Sequence, residues 1–469
     1  MRRAVPTLAL VTLLMAGCSG HHHSQSSASA TSSTPAPASG PPAKLGSVSA
    51  CHPKLHGIKC ASLTVPLDHS GKVAGSLSLR VAVAGPSSAP RGTALFLTGG
   101  PGEAGVAFAP SIERKLAAAV KGYRVVMLDQ RGTGGGALDC PALQRAVGAS
   151  DLAVPPLAAV RACAAKIGPQ RRLFTTADTV ADLDGLRAAL GVKRWAAVDG
   201  VSYGTFVAER YALAHPDDVA RLVLDSVVPH VGIEPFQLET IHAVPRVLRS
   251  ACRQEHCGSD PVADLAAVVR TRHDGPALLD MLVTLSIADP DYRAVPRALA
   301  EARAGQPARL DRLVAGTHRG DRLPASFLSS GLHASTLCAD YPFPWGGPGS
   351  PLAARKAAIG RAAAAALRPA TVAPFDRATA TGNGELLTCE NWPPEPLRLP
   401  TVPRELPNIP VLLLNGDRDL STPLVWAQEE ARAAPDGRLV VARHDGHSVQ
   451  LRAKDPAARA ALVRFLQSR

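Results

Sequence analysis

Trp195-Ala196-Ala197-Val198-Asp199-Gly200-Val201-Ser202-Tyr203-Gly204 carries the strongest architectural signal in the chain. An apolar run carries a serine between two glycines, and residues 205–214 read as a helix closed by His215-Pro216. This is the G-x-S-x-G pattern, in which a buried strand makes a strained turn into a helix and leaves the serine hydroxyl exposed above the sheet. Glycines suit both flanks because a Cβ there would strike the neighbouring strand or helix. The rest of the chain is read for what Ser202 needs.

The chain has 469 residues, too many for one minimal domain and suited to a large core with an insertion. A hydrophobic content of 46% leaves ample material for that core. The net charge of +12 comes from scattered arginines, with no basic run beyond Arg171-Arg172, so nucleic acid is not an expected partner. Nine cysteines make an odd count, and the N-terminus accounts for the odd one. Met1-Arg2-Arg3 is a basic start, an apolar segment follows, and Leu14-Met15-Ala16-Gly17-Cys18 resembles a bacterial lipobox. Residues 1–18 are thus expected to be a lipoprotein signal, with Cys18 lipidated and the protein anchored to the cell membrane outside the cytoplasm. An ordinary secretory signal is the alternative. The other eight cysteines then face an oxidising compartment.

Residues 19–46, rich in Ser, Ala, Thr and Pro and holding His21-His22-His23, read as a disordered linker. Residues 76–83 alternate polar and apolar, as a half-exposed antiparallel strand does. Residues 94–97, 124–128, 221–225 and 411–414 are solidly apolar, as strands covered on both faces are. Strands alternating with helices predict an α/β fold with a doubly wound, mostly parallel sheet. Between 229 and 407 the pattern becomes helical (241–250, 261–270, 353–367) and Pro-rich, which predicts an inserted, mainly helical lid domain. The core is then expected in two parts, 47–228 with the elbow and 408–469 with the acid and histidine.

In α/β hydrolases the catalytic residues run Ser, acid, His along the chain, with the acid after a late strand and the His after the last. Asp417 and Asp419 both follow the 411–414 strand, and His447 follows the strand at 438–441. His444 competes with His447, and Asp225 with the two later acids; the first reads better as a loop residue and the second as a turn cap. The oxyanion donors would be the backbone N–H of Tyr203 and one from Gly99-Gly100-Pro101-Gly102, which follows the 94–97 strand.

Together, Gly99-Gly100-Pro101-Gly102, Asp129-Gln130-Arg131-Gly132-Thr133-Gly134, Gly200-Val201-Ser202-Tyr203-Gly204 and Gly416-Asp417-Arg418-Asp419-Leu420-Ser421-Thr422-Pro423 resemble the prolyl and tripeptidyl aminopeptidase family of α/β hydrolases (peptidase family S33). The likeness is greatest to the secreted actinobacterial tripeptidyl aminopeptidases and their lipoprotein relatives, and runs from about Cys51 to the C-terminus. It implies Ser202, Asp419 and His447 as the triad, with Gly100 and Tyr203 as oxyanion donors. Thr98 and Ser448 depart from the family, which usually has His before G-G-P-G and Gly after the catalytic His; both touch the pocket wall.

The resemblance also implies disulfides Cys51–Cys60, Cys140–Cys163, Cys252–Cys257 and Cys338–Cys389. No C-x-x-C pair is present, and neither a metal nor a cofactor is expected. An aminopeptidase must meet a charged amine with a carboxylate. Asp340 matches a family acid near a disulfide, and Glu390 beside Cys389 is a second candidate. The expected activity is serine-dependent removal of short peptides, tripeptides foremost, from free N-termini. A carboxylesterase acting on small acyl esters is the alternative, and a catalytically dead binding lipoprotein a third that the intact triad opposes.

Overall fold

The computed structural model describes residues 41–51, 57–320 and 322–468. The expected signal peptide, Cys18, the histidine tract and most of the linker lie outside the described residues. Ten strands form one sheet: β1 (Lys44–Leu45), β2 (Ser49–Ala50), β3 (Ile58–Pro66), β4 (Ser76–Ala84), β5 (Thr93–Leu97), β6 (Arg124–Leu128), β7 (Ala197–Val201), β8 (Leu222–Asp225), β9 (Pro410–Gly416) and β10 (Asp436–Ala442). Their order is β1-β3-β4-β6-β5-β7-β8-β9-β10, with β2 also on β3. The pairings from β6 to β10 are parallel, and those of β1 to β4, including β4 with β6, are antiparallel. β1 falls inside the stretch read as linker, so the sheet begins before residue 47. Two residues are too few to show a period in sequence.

The central strands are apolar throughout because both faces are covered, and successive residues serve opposite faces. Leu95, Val126, Val198, Leu224 and Leu413 pack on one side, against the helices Leu157–Ile167, Thr176–Ala189 and Tyr203–Ala214. Phe96, Met127, Ala197, Val223 and Leu412 pack on the other, against Ala109–Lys115 and Pro456–Gln467. Among the described residues, the chain between β8 and β9 adds helices and no strand to the sheet. Among the described residues, four disulfides pair eight cysteines in chain order, Cys51–Cys60, Cys140–Cys163, Cys252–Cys257 and Cys338–Cys389. The last joins two helices of the insertion, Ser330–Asp340 and Gly384–Asn391. The first of these helices is also fastened to the core: the Ser330 amide donates to Gln144, and Thr336 Oγ1 to the Phe174 carbonyl.

Arg131, from the loop after β6, is fully buried. Its guanidinium forks onto Asp182 with two bonds of 2.7 Å, and donates to the carbonyls of Leu67 at 3.1 Å and Leu173 at 2.6 Å. It thereby joins the end of β3, the β6 loop and the helix Thr176–Ala189, whose start is closed by a capping box between Thr175 and Asp178. Removing one member strands a buried charge. Arg131→Met should therefore lose about 3–5 kcal/mol in urea unfolding, and adding Asp182→Leu should restore part of it. A double variant no more stable than Arg131→Met would show that the pair is not the source of the loss.

Candidate active site

Ser202 sits between β7 and the helix Tyr203–Ala214 with φ 57° and ψ −130°, a backbone position few L-residues adopt. Close packing enforces it. A Cβ on Gly204 would lie 2.6 Å from the Leu97 carbonyl oxygen, and one on Gly200 would lie 2.3 Å from that of Gly204. The turn is held from the next strand by the Ser202 amide, which donates to the Asp225 carbonyl at 2.9 Å. Tyr203 supplies the first amide of the helix, which stands outside the helical ladder. Gly100, after β5, lines the same cleft as Ser202 and Tyr203.

Asp419, fully buried, accepts the amides of Ser421 at 3.0 Å and Thr422 at 2.9 Å and the Thr422 hydroxyl at 2.7 Å. Its Oδ2 also lies 2.9 Å from His447 Nδ1. Burial alone would lower the His447 pKa, but the charge and hydrogen bond of Asp419 carry it above the usual imidazole value. Asp417 instead accepts the His444 amide at 2.8 Å, and His444 is exposed, with its ring on Arg418. Asp225 accepts the amides of Val449 and Gln450 at 3.0 and 2.9 Å, so it caps the turn after His447. Sequence reasoning missed the support from the insertion. Ser286, near the end of the helix Gly275–Ala288, accepts the His447 amide at 3.0 Å on its carbonyl and the Ser421 amide at 3.3 Å on its hydroxyl.

The cleft over Ser202 is narrow, and Leu420, Ser421 and Thr422 from the acid loop line it together with Tyr341, Gln237, Asp151 and Glu385. Asp340 and Glu390 do not line it. Asp340 accepts the Thr176 amide and hydroxyl at 2.6 and 2.5 Å, and that hydroxyl is 2.7 Å from the Tyr203 phenol, so its carboxylate is engaged behind the elbow. Glu390 is half-buried and its charge acts on Arg355. The acids that reach the cleft are Asp151 and Glu385, neither of which sequence reasoning singled out. Burial, with the charges of Asp151 and Glu234, pushes Glu385 up to about 8. Gln237 Nε2 donates to one of its oxygens at 3.1 Å, while the other is buried without a hydrogen-bond partner. Asp151 is raised by burial, against the opposing charge of His333 at 3.3 Å.

A model of the alpha/beta hydrolase fold family matches residues 95–453. The chain belongs to the alpha/beta hydrolase fold family. It is 34% identical over 191 residues to a tripeptidyl aminopeptidase of Streptomyces lividans, across 36% of this chain and 35% of that protein. It is 47% identical over 53 residues to a proline iminopeptidase of Xylella fastidiosa, across 11% of this chain and 17% of that protein. The matched stretches thus span about a third or less of these relatives. Among solved structures, an alpha/beta hydrolase fold protein from Chitinophaga pinensis aligns with a TM-score of 0.38 at 14% identity, over 91% of this chain and 98% of that one.

The His447–Asp419 pair makes a prediction that needs no substrate. Asp419→Asn removes the charge that holds the imidazole up and leaves the burial that pushes it down. The His447 pKa should fall from above 6.5 to below it. An NMR titration of the imidazole in both proteins reads this directly, and an unmoved pKa would dismiss Asp419 as its partner.

Proposed function

We propose that the protein is a serine exopeptidase that removes a short N-terminal peptide from substrates with a free amine. Ser202 attacks the scissile carbonyl while His447 takes its proton and Asp419 holds the ring in the required tautomer. The carbonyl oxygen, gaining negative charge, is met by the backbone amides of Gly100 and Tyr203. His447 then protonates the leaving amine, and water repeats the sequence on the acyl-enzyme. The reading rests on the position of Glu385, a buried carboxyl in the same cleft as Ser202, with Asp151 beside it. A substrate ammonium would meet these acids rather than Asp340 or Glu390. The Tyr203 side of the cleft is held by Asp340 through Thr176, which makes Asp340 a positioning residue.

The named relatives support a peptidase, and the tripeptide length is carried over from the first of them. Four disulfides fit an extracytoplasmic setting. Anchoring through Cys18 belongs to the same proposal; among the described residues no helix is long and apolar enough to cross a membrane. An esterase would use the same triad but would have no use for a buried carboxyl, Glu385, in its acyl pocket.

Anilides of one, two and three residues, each with free and blocked N-termini, test the assignment beside a short p-nitrophenyl ester. Free-amine peptides should be cleaved and blocked ones spared, and Ser202→Ala should lower turnover on the order of 10⁴-fold or more. Equal turnover of blocked peptides would leave the esterase reading in possession. Because His447 must be neutral to act as base, activity should fall on acidification with a midpoint above 6.5. Glu385 must ionise to hold the ammonium, so KM for free-amine substrates should rise as pH drops below about 8. Glu385→Gln should abolish that dependence and raise KM roughly 10- to 100-fold, the worth of a charged hydrogen bond, while ester turnover is kept. If Glu385→Gln leaves KM unaltered, the acid is not the amine partner.

A further inference from the structure

Behind the elbow, away from the cleft, three titratable side chains from distant parts of the chain meet in the interior. Glu209 lies on the helix Tyr203–Ala214, His230 follows β8, and Glu430 lies on the helix Leu424–Ala433. Their exposures are 0%, 2% and 3%, and one ligand atom from each lies within 4.8 Å of the other two. His230 Nε2 is 2.8 Å from the Pro403 carbonyl oxygen, which can only accept, so the ring proton sits on Nε2. In the neutral ring Nδ1 is then a bare lone pair, and it faces Glu430 Oε2 at 2.8 Å. Neither buried oxygen of Glu209 meets a donor; its carboxyl faces that of Glu430, whose Oε1 accepts the His230 amide at 3.2 Å. Arg210, whose charge reaches Glu209, makes no bond to it: its Nε donates to the His230 carbonyl at 2.6 Å and its guanidinium lies over the Phe206 ring. Two carboxyls and an imidazole nitrogen thus meet in the interior, and their charge must be offset, by protons on Glu209 and His230 or by a bound cation.

We propose that Glu209, His230 and Glu430 form a buried site for a divalent transition cation of the Zn²⁺ class. Two carboxylates and one neutral imidazole balance a +2 ion, and Glu209 binding through both oxygens gives the four ligand atoms such ions accept. An imidazole that ligates through one nitrogen and donates its other N–H to a backbone carbonyl is the usual supported form of a histidine ligand. The ion would not touch substrate. It would fasten the elbow helix to the two ends of the insertion, since His230 lies just inside its beginning and Pro403 near its return. Residues 209, 230 and 430 are too far apart in sequence for any metal-ligand spacing to show.

The test is metal analysis of the full-length protein, exposed to Zn²⁺ and then exchanged into metal-free buffer. A half-exposed surface group of Asp184, His215 and Asp218 could also hold an ion, so Asp218→Asn serves as the background. About one Zn²⁺ per chain should remain, and Glu209→Gln should lose it. Chelator-treated protein should gain roughly 3 °C in Tm at a hundredfold excess of Zn²⁺ over Kd. Co²⁺ should give the visible absorption of a four-coordinate site. If Glu209→Gln does not fold, His230→Gln and the Co²⁺ spectrum of the unsubstituted site carry the decision. Protein that retains no metal, and whose Tm ignores both Zn²⁺ and Co²⁺, would overturn the proposal and leave the cluster neutralised by protons alone.

Discussion

The whole arrangement depends on one steric constraint, the missing Cβ at Gly204. Because nothing projects there, the first turn of the elbow helix rests directly on the carbonyls of Leu97 and Thr98. That closeness forces Ser202 into its positive φ, a strain of about 1–3 kcal/mol that surrounding bonds must hold. The Asp225 carbonyl takes the Ser202 amide, and the Thr205 hydroxyl accepts the Val228 amide at 2.9 Å. The serine is thus presented by the sheet rather than by a loop, and its position is as rigid as the β5–β7–β8 pairing.

The proposed acid and base are held differently, by loops, and each loop is clasped from two sides. Asp225 reaches from β8 under the turn after His447, and the Ser448 amide donates to Ser226 Oγ at 2.7 Å. From above, Ser286 binds both loops at once. The insertion is thereby part of the scaffold of the site as well as its roof. Tyr292 adds to the same contact, its phenol donating to the Leu282 carbonyl at 3.1 Å and lying 3.4 Å from that of Arg418.

The parallel strands were legible because burial on both faces leaves solid apolar runs, and the elbow because its glycines are sterically obligatory. The acid loop was legible, with Asp419 preferred to Asp417 on the family resemblance; Asp419 faces His447 Nδ1, whereas Asp417 accepts the His444 amide. What escaped reading came from the insertion and from convergence. Glu385 and Asp151 look like ordinary surface carboxylates in sequence; only packing brings them to the cleft. Asp340 was read towards the substrate because nothing local shows Thr176 binding it first. Ser286 has no motif at all, since its role is played by a backbone carbonyl and a hydroxyl at a helix end.

β8 and β9 are neighbours in the sheet, paired Leu222 to Val411 through Asp225 to Leu414, although the long helical segment lies between them in the chain. The entropy of closing such a loop grows only with the logarithm of its length, each doubling costing about 0.6 kcal/mol. To the sheet, then, the segment is nearly free to change in size. Its two ends must return to adjacent positions, and its helix ending at Ala288 must still meet the acid and histidine loops. Within those limits the segment can be lengthened, shortened or rebuilt by descent while the register beneath stays fixed, which would let one scaffold acquire new substrates without refolding its nucleophile.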